Sequence, residues 1–184
     1  MKKMNLPNKI TMIRVILIPF FIVFMMLSAT WAKWAALGVF VVASLTDFVD
    51  GQMARRMNLV TDFGKFMDPL ADKMLVAAAM ILFVEIGKIP AWIVVVIMVR
   101  EFIISGFRML AAEKGVVIAA GWLGKIKTAE TMVMLVVLLV FYALGVQGGA
   151  FFIIEQILIY LALLLTVVSM IDYLLKNKGV IESC

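Results

Sequence analysis

The sequence predicts an all-α integral membrane protein with six transmembrane helices, and three observations lead there. Of 184 residues, 65% are hydrophobic and the mean hydropathy is +1.13, against roughly 45–50% apolar residues in soluble domains. The apolar residues fall into six runs long enough to cross a bilayer, and the cations collect at alternate breaks between those runs. No linker, low-complexity tail or fixed-period repeat divides the chain, so residues 1–184 read as one membrane domain.

A hydrocarbon core of about 30 Å takes about 20 mainly apolar residues per helix. The first run, 9–29, follows a basic N-terminus and superficially fits a signal peptide. It is long, however, and has no convincing small-residue cleavage site before Trp31, so it reads as a retained span. The second, 34–56, follows the break at Ala29-Thr30, and the third, 68–86, follows the charged stretch 55–65. The fourth, 90–110, starts after Gly87-Lys88-Ile89-Pro90, the fifth, 122–144, after Glu113-Lys114-Gly115, and the sixth, 150–175, after Gly148-Gly149.

Orientation follows from the cations. Lys2, Lys3, Lys9 and Arg14 precede or open the first span, and Arg55, Arg56 and Lys65 lie between the second and third. Arg108, Lys114, Lys125 and Lys127 lie between the fourth and fifth, and Lys176 and Lys178 close the chain, whereas only Lys33 and Lys88 fall at the alternate breaks. The positive-inside rule then puts both termini in the cytoplasm. The net charge of +5 is first a topology signal, alongside attraction to anionic lipid headgroups. Nucleic-acid binding has no support, because the basic residues sit at membrane borders.

The chain has no histidine and a single cysteine, Cys184. That excludes Ser-His and Cys-His nucleophilic devices, His or Cys zinc sites and an intrachain disulfide. A bound metal must be held by oxygen, which points to magnesium, manganese or calcium.

Against this background the stretch 47–72 stands apart, because it gathers five of the twelve acids, Asp47, Asp50, Asp62, Asp68 and Asp72. A carboxylate at membrane depth is costly unless paired, metal-bound or hydrated. Asp47 and Asp50 are three residues apart and share a helix face, and Asp68 and Asp72 are four apart at the start of the third span. Pro69 leaves two options for the second pair: Asp68 is an N-cap with Asp72 a turn inside, or the helix starts nearer Gly64 and Pro69 kinks it. Four converging carboxylates repel one another unless divalent ions intervene, and magnesium in an oxygen-rich site usually keeps positions for phosphate oxygens. The stretch therefore proposes a site for a phosphorylated substrate at the cytoplasmic border. Gly51 and Ala54 beside the acids leave space for a ligand, while Asp62, Arg56 and Lys65 read as solvated or anchoring residues.

As a pattern, residues 47–72 read D-x-x-D-G-x-x-A-R-x8-G-x-x-x-D-x-x-x-D, which resembles the signature of the CDP-alcohol phosphotransferases at every fixed position. The resemblance implies a six-helix membrane enzyme, usually a homodimer, in which an alcohol displaces CMP from a CDP-linked donor. It implies that Asp47, Asp50, Asp68 and Asp72 hold one or two Mg2+ or Mn2+ ions and that Asp72 is also the general base. It further implies that Thr11, Arg14, Asp47, Gly51, Ala54, Arg55 and Gly64 border the donor. Asn5 to Thr11 with Arg14, Arg100-Glu101-Phe102 with Ser105-Gly106 and Arg108, and Gly124 to Thr128 extend the likeness and are similar to the bacterial phosphatidylglycerophosphate synthases. In that group the donor is CDP-diacylglycerol, the acceptor is sn-glycerol 3-phosphate, and the enzyme sits in the bacterial inner membrane facing the cytoplasm.

The acceptor also has support in the residues themselves. A dianionic phosphate needs cations, and Arg100, Arg108, Lys125 and Lys127 all fall on the cytoplasmic side of the fourth and fifth spans. Arg100, inside an apolar segment, has an alternative reading as a buried partner of Glu101, and Glu130, a turn beyond Lys127, as the residue that orients that lysine. Asp172 and Glu155 read as interfacial or solvated. Competing functions are the same chemistry with inositol phosphate, serine or phosphatidylglycerol as acceptor, or a divalent-cation transporter, which would favour acids nearer mid-membrane.

Overall fold

The computed structural model describes the backbone of residues 6–57, 62–113, 121–146 and 148–177, and the side chains of 12–46, 70–71, 73–111, 121–146 and 148–177. Six helices follow one another: α1 Leu6–Met26, α2 Thr30–Met57, α3 Asp62–Glu85, α4 Ala91–Glu113, α5 Trp122–Leu144 and α6 Gly149–Lys176. The described residues contain no strand, as an all-α chain requires. The largest shift from the sequence reading is in α3, which starts at Asp62 and not at residue 68. Asp68 is therefore inside the helix and not its N-cap, and α3 runs through Pro69 as α1 runs through Pro19.

The breaks have local chemical causes. The carbonyl of Ala29 accepts the N–H groups of Ala32 at 3.0 Å and Lys33 at 3.4 Å, so Lys33 belongs to the first turn of α2. Pro90, with no N–H to lose, precedes α4 and its carbonyl accepts the N–H of Ile93 at 3.1 Å. At the end of α5 the N–H of Gly145 bonds to the Tyr142 carbonyl and that of Val146 to the Phe141 carbonyl, both at 3.2 Å. This is a Schellman motif, and Gly145 supplies the left-handed φ of 68° that it needs. Gly148 opens α6 with φ 78° and ψ −176°, a region only glycine enters readily.

The chain forms two compact units, one of residues 1–83 with 138–146 and one of residues 84–137 with 147–184. In the first, Arg14, Ile18, Phe21 and Met25 make the buried stripe of α1, and Ala32, Ala36, Phe40 and Ala43 that of α2. Residues spaced by three or four lie along one helix face, and the alanines let the two backbones approach closely. Phe21 and Phe40 meet with ring centroids 5.7 Å apart. Ala71, Leu75, Ala79 and Phe83 continue the same spacing in α3, and the Lys33 ammonium lies 4.5 Å from the ring centroid of Tyr142.

In the second unit α4 packs on α6. The buried stripe of α6 is Glu155, Ile159, Ala162, Thr166, Ser169 and Tyr173, so four of its six members carry polar groups. Its outward face is Phe152, Ile153, Ile157, Tyr160, Leu164 and Ile171. Polar inside and apolar outside is the distribution of a helix solvated by lipid. Glu155, only 2% exposed, takes the Lys88 ammonium on its two oxygens at 2.7 and 2.9 Å. It is thus buried and paired, which corrects its reading as interfacial or solvated: a carboxylate on an inward stripe needs a cation. Among the described residues, α5 and α6 are long and apolar enough to cross a membrane, and the apolar parts of α1, 12–26, and α2, 30–46, are shorter.

The α1–α2 contact predicts unequal effects along one helix pair. Phe21→Ala removes a side chain of 0% exposure and is expected to destabilise the detergent-solubilised protein by about 3 kcal/mol, seen as a lowered thermal midpoint. Val42→Ala, at an exposed position, is expected to leave the midpoint unchanged.

Candidate functional site

The expected donor residues fall on three helices. Thr11 and Arg14 are in α1, Asp47, Asp50, Gly51, Ala54 and Arg55 are in the last turns of α2, and Gly64, Asp68 and Asp72 are in the first turns of α3. Of these only the side chain of Arg14 is among those described, and it is fully buried at 1% exposure on the inward stripe of α1. The others, including all four candidate metal ligands, lie outside the described side chains. What the backbone establishes is the register. Helix runs unbroken through Asp47 and Asp50 and through Asp68 and Asp72, so each pair lies on one side of its helix.

The four cations expected for the acceptor all lie in the second unit, and there the side chains are described. Arg100 and Lys127 are buried, at 6% and 3% exposure, and both reach one carboxylate. Oε1 of Glu101 accepts from the Arg100 guanidinium at 2.6 Å and from the Lys127 ammonium at 2.8 Å. Arg100 also donates to the hydroxyl of Ser169 on α6 at 3.0 Å, and that hydroxyl donates to the Thr166 carbonyl at 3.1 Å. Three helices are tied through this cluster. It carries two cations on one anion, leaving a net positive charge, and a bound anion would offset the cost of burying it.

The neighbouring contacts give its direction. A Cβ on Gly121 would sit 3.7 Å from Asp172, and one on Gly124 would sit 3.9 Å from the Arg100 guanidinium. Arg108, two turns after Arg100 on α4, stacks on the ring of Tyr173, one turn after Ser169 on α6, with its guanidinium carbon 5.8 Å from the centroid. Helices α4 and α6 therefore run the same way, with α5 opposed to both. Lys125 is exposed and lies 5.6 Å from the ring centroid of its neighbour Trp122. Asp172 pairs with Lys176 one turn on, at 2.8 Å.

Two expectations change here. Glu130 does not orient Lys127: that ammonium is on Glu101, and both Glu130 oxygens are buried without a hydrogen-bond partner among the described residues. Arg100 does pair with Glu101, as its alternative reading has it, and it shares that carboxylate with Lys127. The sequence reading passed over Ser169 and Tyr173. The signal was present in α6, where Glu155, Thr166, Ser169 and Tyr173 break an apolar helix at spacings that keep them on one face. Among the described residues no group of three acids, histidines or cysteines is placed to hold a metal ion.

The shared carboxylate has a stability consequence. Glu101→Ala leaves two buried cations without their anion and is expected to cost about 3 kcal/mol, measured by thermal unfolding in detergent. Ser169→Ala, which removes a single neutral acceptor, is expected to cost about 1 kcal/mol.

Comparison with known proteins adds what geometry cannot. The family model described as CDP-alcohol phosphatidyltransferase matches residues 4–168. The CDP-diacylglycerol–glycerol-3-phosphate 3-phosphatidyltransferase of Bacillus subtilis (strain 168) is 43% identical over 185 residues, covering 94% of this chain and 95% of the relative. The protein of the same name in Escherichia coli (strain K12) is 42% identical over 176 residues, covering 92% and 93%. With the family model spanning most of the chain and identity of this level running almost end to end, the chain belongs to the CDP-alcohol phosphatidyltransferase family.

Proposed function

We propose that this protein transfers the phosphatidyl group of CDP-diacylglycerol to sn-glycerol 3-phosphate, giving phosphatidylglycerophosphate and CMP. The observation that carries this reading is the likeness, over more than nine-tenths of each chain, to relatives named for that reaction. The buried cation cluster supports it, because a dianionic acceptor phosphate needs cations to hold it.

Carboxylates in helical register, with no histidine in the chain, suit a hard divalent ion. Asp47, Asp50, Asp68 and Asp72 would hold Mg2+ or Mn2+, which when bound would neutralise the pyrophosphate and the departing CMP. The chain's own residues do the rest. Thr11, Arg14, Gly51, Ala54, Arg55 and Gly64 border the donor. Arg100, Arg108, Lys125 and Lys127 bind the acceptor phosphate and orient its hydroxyl. Asp72 takes the proton as the hydroxyl oxygen attacks the β-phosphorus and the bond to CMP breaks.

In this reading residues 1–184 are one catalytic domain, crossing the bacterial cell membrane six times with both termini and the aspartates on the cytoplasmic side. The alternation of cations along the sequence supports that orientation. The enzyme works as a homodimer among membrane lipids.

Purified protein is expected to release CMP only with both substrates and magnesium or manganese, and to stop when the metal is chelated. Asp72→Asn is expected to lower kcat by at least about 100-fold, and full turnover in that variant would remove the general-base role. Lys125→Gln is expected to raise the KM for glycerol 3-phosphate with little change in that for CDP-diacylglycerol. A panel of acceptors with mass identification of the lipid product decides the rest, and product from serine but not from glycerol 3-phosphate would sink the assignment.

A further inference from the structure

We propose that Tyr173 is an acceptor-binding residue whose phenolic hydroxyl donates to the phosphate held by Arg108. This rests on the acceptor reading above. Tyr173 is 6% exposed and its hydroxyl is buried without a hydrogen-bond partner among the described residues. A buried hydroxyl left unpaired is a standing cost, so an orphan of this kind in a binding enzyme asks for a ligand atom. Arg108, stacked on the same ring, has its own buried Nε without a hydrogen-bond partner among the described residues. An Arg Nε–H only donates, and a phenol is a good donor. Two unsatisfied donors on one stacked pair, one of them cationic, call for an anionic oxygen rather than a neutral carbonyl.

The fold holds Tyr173 in place for this. Asn177 caps α6 by donating its backbone N–H at 3.2 Å and its side-chain amide at 2.8 Å to the Tyr173 carbonyl. The last turn, where a helix otherwise frays, is therefore closed on Tyr173 itself. One turn earlier Ser169 accepts a hydrogen bond from Arg100, whereas Tyr173 meets Arg108 through its ring, so α6 places one hydroxyl-bearing residue against each arginine of α4. Both residues lie beyond the segment matched by the family model, 4–168.

Tyr173→Phe removes the hydroxyl and leaves the ring on Arg108. In steady-state CMP release by the full-length enzyme in mixed micelles, the variant is expected to raise the KM for sn-glycerol 3-phosphate on the order of tenfold, as for one hydrogen bond to a charged group. The KM for CDP-diacylglycerol and kcat are expected to stay as in the wild type. Arg108→Gln is expected to raise the same KM, and the double variant to raise it by less than the product of the single effects, because both act on one phosphate. An unchanged acceptor KM together with a raised thermal midpoint would overturn the proposal and make the hydroxyl a packing defect. A rise in the KM for CDP-diacylglycerol alone would overturn it too, by giving the phosphate to the donor. Absence of CMP release from the wild type with glycerol 3-phosphate would overturn the acceptor reading itself, and the wild type alone reveals it.

Discussion

The second unit depends on one carboxylate shared by two buried cations. Arg100 and Lys127 come from helices that run in opposite directions, and both end on Oε1 of Glu101. Burying either cation alone would cost several kcal/mol, so the three side chains are only stable together. That requirement fixes α4 against α5, and the bond from Arg100 to Ser169 adds α6. The charges of the three side chains do not cancel, and in the proposed function the acceptor phosphate supplies the missing anion.

Lipid explains why the polar residues can do this. Around a water-soluble helix the polar side chains face out and the core is apolar; α6 is the reverse, with Phe152, Ile157 and Leu164 outside and Thr166, Ser169 and Tyr173 inside. No apolar driving force distinguishes inside from outside in hydrocarbon, so polar contacts and close packing determine which face turns inward. The Lys88–Glu155 pair acts in the same way near the other end of α6. The first unit uses the second means, with alanines at 32, 36 and 43 letting α1 and α2 close on the Phe21–Phe40 contact.

The candidate residues could be picked out of the sequence because they are local in it. Asp47 with Asp50 and Asp68 with Asp72 need only helical periodicity to be paired, and the family pattern that contains them runs over one short stretch. The cations at 100, 108, 125 and 127 were legible as a group because positive charge in an apolar chain is scarce. Which acid pairs with which cation was not. Glu130 is one turn from Lys127 and had the better claim by sequence distance, yet Glu101, on another helix, is the partner. Glu155 looked interfacial because its cation lies 67 residues away.

By itself the sequence determined the helical class and most of the breaks between helices, because these follow from composition and from glycine and proline at turns. It also carried the family, whose pattern is written in residue types. The tertiary structure alone decided that Arg100 and Lys127 share Glu101, that α4 and α6 run together, and that Ser169 and Tyr173 join the cations. The reason is physical: periodicity tells which residues share a face of one helix, but which faces meet is decided by packing and by pairing of charges between helices far apart in the chain.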